Sequence, residues 1–108
     1  MTNNPITQMS DIMEFVQVNE FLEDEAVERS LLKLASVLAK PEINPVHVAR
    51  HVVECDALAT TFAIKAKYYM TIGKDTPDSS IKKNFYMTLR EEMHALANSL
   101  KIMVRAQT

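Results

Sequence analysis

The sequence predicts an all-α fold, an antiparallel helical bundle built on one long helical hairpin, and three observations predict it. Glycine occurs once, at Gly73, and proline four times, and all five residues fall at the start of the chain or at the joins between helical patterns. On either side of Gly73, apolar residues recur at helical spacing over about 45–72 and about 77–106, each stretch far longer than an ordinary globular helix. Only Gly73–Thr76 separates the two, so they fold back on each other.

Taken in order, residues 1–9 are expected to be flexible. Ser10 is read as the cap of a short first helix, about Asp11–Gln17, which presents Ile12, Phe15 and Val16. Asn19 is read as the cap of a second, about Glu20–Ala39, where Val27, Leu31, Leu34 and Leu38 recur at helical spacing. The two are either separate or one bent helix. Pro41 stops the second helix, and Asn44-Pro45 restarts the chain as cap and first helical residue.

The third helix carries Val48, Val52, Cys55, Ala59, Phe62, Ala66 and Tyr69 on one face. A second apolar line, Ala49, Val53, Ala57, Ile64 and Tyr68, predicts that it is wrapped on more than one side. Thr76-Pro77 repeats the cap-then-proline start for the fourth helix, whose seam is Ile81, Phe85, Leu89, Met93, Leu96, Leu100 and Met103.

Length makes this one domain with a modest core, since a chain of 108 residues buries only about two-thirds of its unfolded surface. The hairpin arms span roughly 40–45 Å against roughly 30 Å for the second helix. Tyr69, Met70, Ile72, Phe85 and Met87 near one end therefore need another cover. The first helix or a second copy of the chain can supply it, and a homodimer or higher assembly is expected.

Seven acidic residues and no lysine or arginine lie in residues 1–28, whereas residues 29–108 hold seven acidic and twelve basic groups. Either an acidic arm and a basic binding face, or acids meeting the positive end of a helix dipole, produces that asymmetry. No run of eighteen apolar residues suggests a membrane span, the first residues lack the basic and apolar regions of a signal peptide, and the lone Cys55 suits a reducing compartment. A cytoplasmic location is expected, the host cytoplasm if the protein is viral.

Chemistry is sparsely signalled. The single glycine excludes phosphate-cradling loops, and Cys55 on the main apolar face is dulled by burial. No enzymatic activity and no cofactor are expected. Glu91-Glu92-Met93-His94 contains a Glu-x-x-His that resembles the motif of ferritin-like di-iron proteins, which implies a dimeric di-metal site. In an even hairpin the facing level reads Leu58-Ala59-Thr60-Thr61, without a carboxylate, so His51, Glu54, Glu91 and His94 are the candidates such a site would draw on. The competing reading makes all four surface residues, with His51–Glu54 a helix-spaced pair and His94 in the solvated line of Lys83, Arg90, Asn98, Lys101 and Arg105.

The hairpin tip gathers Lys65, Lys67, Lys74, Lys82 and Lys83 among Tyr68, Tyr69, Phe85 and Tyr86. Basic groups beside stackable rings suit single-stranded nucleic acid or an acidic protein. The candidate binding residues are Lys65, Lys67, Tyr68, Lys74, Lys82, Lys83 and Tyr86. The bland alternative is core aromatics with solubilising lysines.

The stretch DALATTFAIKAKYYMTIGKDTPDSSIKKNFYMTLREEMHALANSLKIMVR, residues 56–105, resembles the hairpins of small all-α accessory proteins of tailed bacteriophages. The shared pattern is an alanine-rich first helix, a short polar turn, a serine-led second helix and a terminal Leu-Lys. The resemblance implies a viral role in DNA metabolism or in blocking a host factor, and carries over no functional residues. The leading reading is a non-enzymatic, self-associating helical module that binds another macromolecule. The alternatives are a nucleic-acid accessory protein of replication or recombination, and a di-metal protein.

Overall fold

A computed structural model describes residues 4–39 and 44–107. It holds four helices: α1 (Pro5–Asn19), α2 (Glu25–Leu38), α3 (Pro45–Met70) and α4 (Ser79–Gln107). The bundle measures 49 × 28 × 21 Å, and its long axis is set by α3 and α4 packed along their whole length.

Side-chain caps decide where the first three helices begin. Asn4 Oδ1 accepts from the Ile6 amide at 2.9 Å with Pro5 in the first turn, and Asn44 Oδ1 accepts from Val46 at 3.0 Å ahead of Pro45. α1 therefore starts well before Ser10, which lies inside it. Of the stretch expected to be flexible, Pro5–Met9 is helical with Met9 buried, and residues 1–3 lie outside the described residues. Asn19 is also not a cap: it closes α1, its amide donating to the Phe15 carbonyl at 2.8 Å.

Residues 11–39 thus form two helices rather than one. Glu20 ends α1 in the left-handed region at φ 54°, its N–H on Val16 O at 3.1 Å. Asp24 caps α2, with Oδ1 2.9 Å from the Ala26 amide. The expected stop at Pro41 lies outside the described residues.

The hairpin turn is longer than Gly73–Thr76. α3 ends at Met70 and α4 begins at Ser79, and Thr76 Oγ1 donates to the Gly73 carbonyl at 2.6 Å instead of capping the helix. The Lys82 amide closes the first turn on Asp78 O at 2.8 Å, with Asp78 itself at φ 61°. Gly73 is needed for closeness: a Cβ there would stand 2.6 Å from Cε1 of Tyr68, whose ring lies over it.

The helices run alternately up and down. Phe15, late in α1, stacks on Phe85, early in α4, at 5.2 Å between centroids, so those helices are antiparallel. The core draws Met9, Ile12 and Val16 from α1 and Leu31, Leu34 and Leu38 from α2. From the hairpin come Val48, Cys55, Phe62, Tyr86, Leu89, Met93, Leu96 and Leu100. α2 rests on α1 but only grazes α3, across a cleft of about 330 Å³ lined by small side chains such as Ala26, Ser30 and Ala57.

Candidate interaction surface

At the hairpin tip three of the rings that sequence pattern offered to a ligand, Tyr69, Phe85 and Tyr86, are spent on the fold, and Tyr68 stays exposed. Tyr86 is 2% exposed, stacks on Phe62 at 6.1 Å and on Tyr69 at 6.0 Å, and donates its hydroxyl to Phe21 O at 2.9 Å. Burial, with Tyr69 and Glu23 beside it, pushes its phenol up to about 12. Phe85 is buried under Phe15 and Phe21, so the end of α1 and the 20–24 link provide the cover that this end of the hairpin lacked.

Lys82 is likewise engaged. Its Nζ sits 3.1 Å from Glu23 Oε1 and 5.5 Å from the Tyr69 ring centroid. The Glu23 carboxylate holds its ammonium above the ordinary lysine range. Lys82 and Tyr86 thus join the structural contact between the hairpin and the α1–α2 link. Lys67, Tyr68 and Lys74 are exposed, and Lys65 and Lys83 half-buried.

Apolar exposure remains at the same end: Met70 is 56%, Ile72 84% and Ile81 54% exposed. The turn places all three beyond the reach of α1 and α2.

The histidines separate. His94 Nδ1 stands 3.8 Å from Asp56 Oδ1 across the α3–α4 seam, both half exposed, and Glu91 is exposed. His51 is 6% exposed and is not the surface residue expected. It falls between Val48 and Cys55 on the buried face of α3 by the same three-and-four spacing. Its Nδ1 has no hydrogen-bond partner and lies 3.9 Å from Glu54 Oε2. Among the described residues no three of His, Cys, Asp and Glu converge as a metal would require. Cys55 is fully buried, and burial, with the Asp56 and Glu54 carboxylates adding, pushes its thiol up to about 12.

The second apolar line of α3 is uncovered within the chain, contrary to expectation: Val53 and Ile64 are each 66% exposed. Beside that line, α3 and α4 enclose two shallow depressions on the same side of the hairpin. One, about 320 Å³, is floored by Ala59, Thr60, Ala63 and Ile64 and edged by Lys67 and Arg90. The other, about 380 Å³, is floored by Val48, Ala49, Val52 and Val104 and edged by Lys101 and Arg105. Sequence reading had the basic line of α4 as plain solvated surface; only its pairing with the bare aliphatic line of α3 makes it a groove. That signal was present in the charge-free spacing of Ala49, Val53, Ala57 and Ile64.

Set beside known proteins, the chain matches no family model, no curated protein and no solved structure. No helix among the described residues is long and apolar enough to cross a membrane.

Proposed function

We propose that the protein is a non-enzymatic, self-associating helical module that works by binding another macromolecule. The observation that carries this reading is the bare apolar tip: Met70, Ile72 and Ile81 stay in water although α1 and the 20–24 link cover their neighbours Phe85 and Tyr86. A second copy meeting the tip across a two-fold axis buries these side chains symmetrically, and such dimers are the commonest assemblies. The pattern resemblance of residues 56–105 to phage hairpins supports a phage-encoded accessory role in a host cytoplasm.

The nucleic-acid reading is the lesser one. Tyr86 has no free ring face for a base, and Lys82 already holds a carboxylate, which leaves Lys65, Lys67, Tyr68, Lys74 and Lys83 to act without a stacking pair. Among the described residues, a di-metal site lacks a carboxylate facing His94 other than Asp56.

Sedimentation at two concentrations tests self-association. The wild-type chain is expected to shift towards larger species as concentration rises, and Met70→Glu with Ile72→Glu to stay monomeric. A wild-type monomer at every concentration overturns the reading.

A further inference from the structure

The outer side of the hairpin has a different character from the tip. Along it run the two depressions between α3 and α4, floored by Ala63 and Ile64 at one end and by Ala49 and Val52 at the other. Fourteen residues of α3 separate Ala49 from Ala63, or about 21 Å. One wall is aliphatic, since Val53 and Ile64 stand open to solvent. The other is cationic: Arg90 and Lys101 are exposed on α4, Lys67 borders the first depression together with Arg90, and none of the three has a carboxylate within ion-pair distance among the described residues. Asp56 lies against His94, which lines the first depression.

Resting on the interaction-module reading, we infer that this groove receives an acidic amphipathic helix of a partner protein, about four turns long. Its apolar stripe lies on Ala49, Val52, Ala63 and Ile64, and its acidic edge meets Arg90, Lys101 and Lys67. Helix-in-groove recognition uses clusters of apolar anchors at three- and four-residue spacing, so a helix of about four turns sets one such cluster on each depression. Charge complementarity selects the partner's sign.

Two other occupants fit less well. A nucleic acid would lay desolvated phosphates or unstacked bases against aliphatic side chains, and the ring that lines the groove, the His94 imidazole, already lies against Asp56. A second copy docked by the same face brings only another wall of Arg90 and Lys101, and so offers the cationic wall no acidic edge to meet. Apart from Lys67, which stands where the two meet, the groove is separate in place and in chemistry from Met70, Ile72 and Ile81 at the self-association tip.

The test uses fluorescence anisotropy on the whole chain with three labelled probes. These are a synthetic leucine-striped helix of about 18 residues with a glutamate edge, the same peptide with a lysine edge, and a single-stranded oligothymidylate. The glutamate-edged helix is expected to bind, and to weaken at least about tenfold when salt rises from about 50 to about 300 mM. Arg90→Glu with Lys101→Glu should weaken it by about tenfold or more, a loss set by rim charge. Ala63→Trp, which fills one depression at the surface, should weaken it as well.

Equal binding of the lysine-edged peptide, unchanged affinity in both variants, or binding of the oligonucleotide alone overturns the inference. Sedimentation of the same proteins keeps the two claims apart. A chain that self-associates but ignores the acidic helix loses only this inference, and one that takes the helix as a monomer loses only self-association.

Discussion

The hydroxyl of Tyr86 donates a 2.9 Å hydrogen bond to the backbone carbonyl of Phe21, tying the start of α4 to the α1–α2 link 65 positions away. Removing that hydroxyl with Tyr86→Phe leaves the ring stacks on Phe62 and Tyr69 in place and strands the carbonyl, at a loss of about 1 kcal/mol. Thermal unfolding should fall by about 4 °C or more. A variant as stable as wild type would mean that water replaces the bond without loss.

The same phenol gives an alkaline signature. Its ordinary value is 10.0 and the folded value about 12, so the group favours the fold at every pH below 10. That stabilisation drains away as pH climbs from 10 to about 12, because the unfolded chain ionises first. Urea unfolding across this range should decline more steeply for the wild type than for Tyr86→Phe.

Cys55 behaves similarly from a lower starting point. The thiol moves from 9.0 to about 12 in the fold, so its stabilising share begins to disappear as pH passes 9. With the side chain fully buried, a disulfide reagent at pH 8 should react only as fast as the protein opens, and at once in urea. Rapid labelling of the folded chain would contradict that burial.

Gly73 and Tyr68 are coupled by contact. An alanine at position 73 pushes the Tyr68 ring off the turn and away from Tyr69, which it meets edge-on at 5.0 Å, for a loss of about 1 kcal/mol. In Tyr68→Ala the obstacle is gone, so Gly73→Ala should then be nearly neutral. A double-mutant cycle measures the difference, and additive effects would refute the coupling.

Glu20 holds a left-handed conformation that an L side chain adopts at a penalty. Glu20→Gly should raise stability by about 0.5–1 kcal/mol, read from urea unfolding. Loss of stability would instead point to a contact of the glutamate side chain.

Much of this architecture was legible because it rests on local signals. Long helical spacing on either side of Gly73 and the Asn44-Pro45 start specify the hairpin, and both appear in the structure. The identical Asn4-Pro5 signal at the head of α1 prevails over Ser10, because proline presets the helical φ of the first turn while serine is also tolerated inside a helix. Other features depend on tertiary contact. Nothing local places Tyr86 against a carbonyl in residues 20–24 or draws Lys82 to Glu23, so the tip looked available for a ligand. The polar neighbours His47 and Glu54 disguise His51 as a surface residue, whereas Val48 and Cys55 share its side of the helix and bury it. The groove needed both helices in register before the bare aliphatic line and the basic line could be seen as two walls of one surface.

The thin contact between α2 and α3 has a consequence for how this molecule breathes. The hairpin holds most of the packing between helices, whereas α1 and α2 dock on it as a hinged pair with less to release when they part from it. Amide protons of α2 should therefore trade with deuterium sooner than those in the middle of α3 and α4. Each such excursion uncages Phe85 and uncouples Glu23 from Lys82, turning the quiet end of the bundle into a transient greasy mouth.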